Sequence, residues 1–111
     1  MIVKDIMSTN PITVNPETTV LEAEKLMSLN KIGRLIVLDG DEVVGMVSDG
    51  DLVVEQELNA AIEKYMSRDI IKIKSKTTVQ EAARFLSDHD IGGLPVLDED
   101  NHLIGIVTAD D

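Results

Sequence analysis

The sequence contains no cysteine, which excludes disulfides, thiolate metal sites and cysteine nucleophiles. Aromatic residues make up only 2%, with Tyr65 and Phe85 as the sole Phe, Tyr or Trp residues. The core must therefore be aliphatic, and a ligand pocket cannot depend on ring stacking. Positive charge is also scarce: 10 Lys and Arg stand against 21 Asp and Glu, a formal net charge of −11. Because this charge repels phosphate backbones and anionic lipid, we predict neither a nucleic-acid nor a membrane partner.

Long hydrophobic runs are lacking as well. No stretch approaches the roughly 20 apolar residues of a membrane-spanning helix, and the first five residues, which include Lys4 and Asp5, do not resemble a signal peptide. His89 and His102 are isolated and have no metal-ligand spacing. These features predict a cytoplasmic protein without a bound metal.

An internal repeat organises the sequence. Met7-Ser8 recurs as Met66-Ser67, 59 residues later, and several other motifs recur at the same offset. So many matches at one offset indicate a duplication. We predict a first repeat over residues 1–59 and a second over residues 60–111. The other matches are Thr18-Thr19-Val20 with Thr77-Thr78-Val79, Glu22-Ala23 with Glu81-Ala82, Ile32-Gly33 with Ile91-Gly92, Val37-Leu38-Asp39 with Val96-Leu97-Asp98 and, shifted by 60, Gly45-Met46-Val47-Ser48 with Gly105-Ile106-Val107-Thr108.

Each repeat is predicted to contain the element order β-α-β-β-α, except that the second is expected to lack its closing helix. Thr19 with Glu22, and Thr78 with Glu81, have the Ser/Thr-x-x-Glu spacing of a capping box, which predicts a helix start at each pair. The predicted strands cover residues 12–14, 35–38, 43–47, 70–73, 94–97 and 103–107, the first closing helix covers 52–58, and Gly33 and Gly92 are predicted to end the two main helices.

This order predicts an α/β (α+β) fold. In each repeat the first two strands should be parallel, joined by a helical crossover, and the last two should form a hairpin. Such a sheet has a helix on one face and an apolar second face. We therefore predict that the two repeats pack sheet to sheet with pseudo-two-fold symmetry, leaving a cleft for a small ligand.

Taken in order, the motifs resemble two consecutive CBS (cystathionine β-synthase) motifs, a Bateman module, over essentially the whole chain. The resemblance implies a non-catalytic, often homodimeric sensor of AMP, ADP, ATP or S-adenosylmethionine that reports energy state to an enzyme or transporter. It implies no cofactor beyond this regulatory ligand. The motifs that carry it are Asp5-Ile6-Met7-Ser8, Pro11-Ile12-Thr13-Val14, Ile91-Gly92-Gly93-Leu94-Pro95-Val96-Leu97-Asp98, Gly45-Met46-Val47-Ser48-Asp49-Gly50-Asp51 and Gly105-Ile106-Val107-Thr108-Ala109-Asp110-Asp111.

The resemblance also implies the site residues. The Ser/Thr-x-x-Asp endings would bind ribose and the first phosphate, with Ser48 and Asp51 in one site and Thr108 and Asp111 in the other. An ionised Asp accepts hydrogen bonds from both hydroxyls of a cis-diol, and free N–H groups at the following helix start would favour a phosphate. In one site the base would contact Ile12, Thr13, Val14 and Leu35, and in the other Ile71, Lys72, Ile73, Leu94 and Pro95. The candidate phosphate contacts are Arg34 and Arg68. Lys31 and Lys72 are further nearby cations.

Structural alternatives accompany each of these hypotheses. Ser48 and Asp51 also have the spacing of an ordinary helix cap, and most of the base residues could simply be core. The chain could be a ligand-free dimerisation module. Catalysis is a third possibility, but no nucleophile–base pair, metal-spaced histidine set or P-loop occurs in the sequence.

Overall fold

The computed structural model describes residues 1–53, 57–89 and 91–109 of the 111-residue chain. The chain divides into two compact units. The terminal unit contains Met1–Pro11 and Ile70–Asp111, and the central unit contains Ile12–Asp69. The units therefore do not cover the same residues as the predicted repeats, 1–59 and 60–111. Residues 1–11 of the first repeat belong to the terminal unit, and residues 60–69 of the second repeat belong to the central unit. The packing of the repeats and the cleft between them stay predictions.

The secondary structure follows the predicted element order, with one additional strand, β1, that the sequence did not predict. The structure contains β1 (Ser8–Thr9), β2 (Thr13–Val14), α1 (Val20–Asn30), β3 (Arg34–Asp39), β4 (Glu42–Ser48), α2 (Asp49–Val53), β5 (Ile73–Lys74), α3 (Val79–Asp88), β6 (Gly93–Leu97) and β7 (Leu103–Thr108).

Each unit has one sheet with the predicted strand directions. In the central unit the order is β2-β3-β4, with β2 parallel and β4 antiparallel to β3. In the terminal unit the order is β1-β7-β6-β5, with β5 parallel and β7 antiparallel to β6. The predicted parallel pair and hairpin are therefore confirmed in both units, as is the mixed α/β fold class.

Each of the two copies of the Met-Ser motif pairs with a strand of the other repeat. Ser8 pairs with Ile106 in β7, so the start of the first repeat extends the sheet of the terminal unit. Ser67 forms an equivalent bridge with Met46 in β4, where the Ser67 N–H donates to the Met46 carbonyl oxygen at 2.8 Å. We call the two segments that contain Met7-Ser8 and Met66-Ser67 the lead segments. Each lead segment therefore completes the sheet built mainly from the other repeat.

Gly45 lets the lead segment approach β4 closely. A Cβ atom at Gly45 would lie 2.7 Å from Met66 Sδ and 2.8 Å from the Ser67 carbonyl oxygen, both too short for real contacts. We expect Gly45→Ala to destabilise the protein by roughly 1–3 kcal/mol, because the bridged backbone must shift. Denaturant unfolding measures this, and Gly50→Ala is the control, since a Cβ atom at Gly50 would lie at an ordinary 3.7 Å from Ser48 Oγ. Equal stability of both variants would contradict the close approach.

The predicted helix starts are confirmed. Thr19 Oγ1 accepts a hydrogen bond from the Glu22 N–H at 3.1 Å, and Glu22 Oε1 accepts one from the Thr19 N–H at 3.0 Å. Thr78 and Glu81 form the same reciprocal pair. The backbone N–H and then the hydroxyl of Thr19 hold the pKa of Glu22 below its usual value, because both donate to the charged carboxylate.

Several predicted element boundaries are wrong. Helix α1 ends at Asn30, and Lys31 rather than Gly33 adopts the left-handed cap conformation, at φ 56°. Helix α3 ends at Asp88 with His89 as its cap, so Gly92 does not end it. The helix predicted over 52–58 begins earlier, at Asp49; residues 54–56 lie outside the described part, and Leu58 is in a turn. The first strands are shorter than predicted, because backbone pairing is limited to two residues in each.

The core consists of two aliphatic clusters, one in each unit. The central cluster includes the side chains of Leu35, Val37 and Ile62, each at most 1% exposed. The terminal cluster includes Val3, which is fully buried among residues of β5, β6, β7 and α3 although it comes from the start of the chain. Within the described residues, we find no helix with both the length and the hydropathy that crossing a bilayer requires.

Candidate functional site

The central candidate site lies on one face of the central sheet. Side chains alternate between the two faces of a strand, and Leu35 and Val47 face the central core cluster. Arg34 and Ser48, which are directly opposite each other on β3 and β4, therefore share the other face. Thr13 on β2 lies on this face too, opposite Ile36. We call Thr13, Arg34, Ser48 and Asp51 the central site.

Ser48 and Asp51 form a reciprocal pair at the start of α2. The Ser48 N–H donates to Asp51 Oδ2 at 2.8 Å, and the Asp51 N–H donates to Ser48 Oγ at 3.2 Å. The capping alternative is thus confirmed as the local role of both residues. Asp51 is exposed, and its second oxygen, Oδ1, has no hydrogen bond within the described part of the chain. Because a carboxylate offers about four acceptor positions, the ribose role is compatible with the cap and stays a prediction.

The backbone N–H groups predicted to receive a phosphate are largely engaged. The Asp49 N–H donates to the Gly33 carbonyl oxygen at 3.0 Å, and the Asp51 N–H is held by the Ser48 hydroxyl. The expectation of free amides at this strand end is therefore wrong for Asp49 and Asp51, because this tight β-to-α turn satisfies both of these donors. A phosphate would gain from a side-chain partner as well.

Most of the predicted base-contact residues contribute to the core. Val14 and Leu35 belong to the central cluster, and Ile73 and Leu94 to the terminal cluster. Ile12 and Ile71 are half-buried against the same clusters. The core alternative is confirmed for the side chains of these six residues, and their contact with a base stays a prediction. Of the nine, Thr13 and Pro95 belong to neither cluster and Lys72 is exposed.

The candidate phosphate contacts differ in position. Arg34 is half-buried beside Ser48, whereas Arg68 is exposed and follows the bridging residue Ser67. Within residues 1–53, 57–89 and 91–109, the guanidinium of Arg34 makes no hydrogen bond or ion pair. Lys31 is exposed at the end of α1, and Lys72 is exposed and already engaged in another interaction.

The terminal candidate site has the same register with different side chains. Thr108 lies opposite Gly93, as Ser48 lies opposite Arg34. Pro95 lies opposite Ile106 on the same face, since the alternating residues Leu94 and Val107 belong to the terminal core cluster. We call Lys72, Gly93, Pro95 and Thr108 the terminal site. The predicted partner of Thr108, Asp111, lies outside the described residues.

Two cavities can be described, each within one unit. A cavity of about 430 Å³ in the terminal unit lies beside α3 and the end of β7, and Thr108 is among its lining residues. A smaller one of about 270 Å³ in the central unit is lined by Ile32 and by residues of α1 and α2 that include Asp49. Ser48 and Asp51 line neither of these two cavities. The sequence indicated the apolar face of α3 by its spacing, but not that part of this face lines a cavity.

The turn between β6 and β7 brings together groups that the sequence did not link. Asp98 Oδ1 accepts hydrogen bonds from the N–H groups of Asp100 and His102, each at 2.9 Å. The His102 N–H and then the Asp100 N–H hold the pKa of Asp98 below its usual value. Ligand atoms of Asp98, Asp100 and His102 lie within 4.8 Å of one another. The predicted isolation of His102 is therefore wrong, because the turn folds it back onto an acidic pair.

Comparison with known proteins identifies relatives over nearly the whole chain. The sequence is 37% identical over 100 residues to an inosine-5′-monophosphate dehydrogenase of Korarchaeum cryptofilum, covering 90% of this chain and 21% of that enzyme. It is 32% identical over 112 residues to L-aspartate semialdehyde sulfurtransferase of Methanocaldococcus jannaschii, covering 99% of this chain and 22% of that enzyme. The chain thus spans about a fifth of the length of these two relatives.

Solved structures match both in sequence and in fold. The CBS domain pair of protein MJ0100, in complex with 5′-methylthioadenosine and S-adenosyl-L-methionine, is 31% identical with a TM-score of 0.89, covering 99% of this chain and 90% of that one. CBSX2 in complex with AMP is 30% identical with a TM-score of 0.85, covering 98% and 90%. The family model for the CBS domain matches residues 3–57 and 62–111. The chain belongs to the CBS domain family and carries two tandem CBS domains.

Proposed function

We propose that this protein is a regulatory module that binds an adenosine-containing ligand: AMP, ADP, ATP or S-adenosylmethionine. The observation that carries the proposal is the likeness to two CBS pairs that were solved with adenosine compounds and cover nearly the whole chain. Both are at least 30% identical to this chain. The proposed role is sensing rather than catalysis.

The central site supplies suitable chemistry for the ribose. The exposed Asp51 carboxylate retains acceptor positions beyond the one used by the Ser48 N–H. Charge-assisted hydrogen bonds from a cis-diol to this carboxylate would be stronger than neutral ones. The Ser48 hydroxyl lies beside the carboxylate and can donate to a ligand oxygen while accepting from the Asp51 N–H. The same roles in the terminal unit would belong to Thr108 and Asp111.

The partner of such a module would be an enzyme or a transporter, in the same chain or another. The matched enzymes carry a region like this chain within much longer sequences, which supports regulation of a catalytic domain. We also propose a homodimer and a cytoplasmic location. The ligand-free dimerisation module is the second candidate, and the capping role of Ser48 and Asp51 favours it, since that role explains both residues without a ligand.

Calorimetry of the unmodified protein with AMP, ADP, ATP, S-adenosylmethionine and, as control, GMP tests the proposal. At least one adenosine compound should bind, and GMP should bind more weakly or not at all. The melting temperature should rise with the same ligand, since binding to the folded state stabilises by about 2.7 kcal/mol at 100 times Kd. If none of the adenosine compounds binds, the ligand-free module is the correct assignment.

A further inference from the structure

We infer that the two sites take different adenosine ligands: the central site takes one that carries a 5′-phosphate, and the terminal site takes one without a phosphate. The inference rests on the proposed function and names the ligand class of each site. It originates in a single difference at equivalent positions of the two sheets. Arg34 lies opposite Ser48 in the central unit, and Gly93 lies opposite Thr108 in the terminal unit.

The register places the Arg34 side chain next to the predicted ribose and phosphate contacts. Directly opposite residues of an antiparallel pair have Cβ atoms roughly 4.5–5.5 Å apart and lie on the same face of the sheet. The guanidinium of Arg34 can therefore reach a phosphate attached to a ribose held at Ser48 and Asp51. Arg34 is half-buried, and no acidic side chain in the described residues neutralises it. An arginine in this position offers two parallel N–H donors to phosphate oxygens.

A cation is necessary at this position because the rest of the site offers little to a phosphate. The protein carries a formal net charge of −11, and Asp49 and Asp51 flank Ser48 closely in sequence. The N–H groups of Asp49 and Asp51 already have partners within the unit. Without Arg34, a phosphate at the central site would lie near the Asp51 carboxylate and meet few donors.

The cation of the terminal site, Lys72, does not lie beside the Thr108 hydroxyl as Arg34 lies beside that of Ser48. Gly93 offers no side chain, and Lys72 immediately precedes β5, which is separated from β7 and Thr108 by β6. Neighbouring strands are about 4.8 Å apart, so Lys72 begins roughly two strand spacings from Thr108. An adenosine compound with an uncharged thioether or a cationic sulfonium at the 5′ position requires no such cation. The negative protein field would favour the sulfonium.

Variants at Arg34 test the inference by the ratio of the affinities for AMP and adenosine. Arg34→Gln should reduce the affinity for AMP by about 10-fold or more, because it removes charge-assisted hydrogen bonds, and should leave the affinity for adenosine unchanged. Arg34→Lys should retain part of the preference. Lys25→Gln, which removes an equal charge from the exposed face of α1, is the matched control and should not alter the ratio.

A competition experiment tests the terminal site. After saturation with AMP, titration with 5′-methylthioadenosine should show a second binding event of about one ligand per chain. The inference would be overturned if AMP fully displaced 5′-methylthioadenosine. It would also be overturned if Arg34→Gln lost affinity for AMP and for adenosine equally. In both cases the proposed function stands. Binding of S-adenosylmethionine without any binding of AMP would overturn it in the same way. Absence of binding by every adenosine compound would instead refute the proposed function.

Discussion

Asp51→Ala is expected to weaken binding of the adenosine nucleotide by roughly 10–100-fold, because it removes charge-assisted hydrogen bonds to the ribose diol of about 1.5–3 kcal/mol. The substitution also removes the acceptor that receives the Ser48 N–H at 2.8 Å. The cap contributes about 1 kcal/mol to the free energy of unfolding. Because this loss is small, the variant should keep its fold. Isothermal titration of the variant and of the unmodified protein measures the change in affinity.

Two further variants separate ligand binding from capping. Asp51→Asn keeps an oxygen that can cap α2 but loses the negative charge, so it should retain stability and still lose most of the affinity. Glu22→Ala removes the corresponding residue of the capping box at α1, so it should lose stability and keep full affinity. If Asp51→Asn binds the nucleotide as tightly as the unmodified protein, Asp51 serves only as a cap.

Removal of residues 1–9 is expected to unfold or severely loosen the terminal unit and to leave the central unit much less affected. The deletion removes β1 from the edge of the terminal sheet and takes the fully buried Val3 out of the terminal cluster. Burial of one side chain of this size contributes roughly 1.5–3 kcal/mol. Because Ile6 and Met7 also pack on this cluster, the total loss is a large part of the roughly 5–15 kcal/mol that stabilises a typical domain.

Hydrogen exchange resolved by residue measures where protection is lost. Protection should fall in β6 and β7 and persist in β3 and β4. Val3→Ala should reproduce part of the effect, whereas Met1→Ala, at a side chain 82% exposed, should be nearly neutral. If protection falls first in β3 and β4, the lead segment stabilises its own repeat, contrary to the exchanged pairing of Ser8 with Ile106.

Local elements could be predicted from the sequence because they depend on neighbouring residues. The reciprocal pairs of Thr19 with Glu22 and of Thr78 with Glu81 formed as their spacing indicated. Strand directions followed from the element order, since a helical crossover produces a parallel pair. The boundaries were less predictable: Lys31, not Gly33, holds the left-handed cap position. This conformation is uncommon for a residue other than glycine, and residue type alone does not indicate it.

The candidate site could be located but not resolved from the sequence. Ser48-x-x-Asp51 is the spacing both of a ribose-binding ending and of a helix cap, so one sequence pattern supports two roles. The structure shows the cap because both hydrogen bonds are present within the turn. The difference between Arg34 and Gly93 was visible in the sequence, but its placement opposite Ser48 and Thr108 depends on strand register.

By itself, the sequence determined the duplication, the element order, the aliphatic composition of the core and the negative charge, because each of these is a property of residue types and their spacing. Only the tertiary structure decided which segments complete which sheet, that Asp98 and His102 meet in one turn, and which side chains share a sheet face. These features depend on backbone pairing between residues far apart in the chain, such as Ser8 with Ile106 and Met46 with Ser67. Both copies of the motif have the same residue types, so residue type alone does not indicate which sheet each copy pairs with. Tertiary packing decides this pairing.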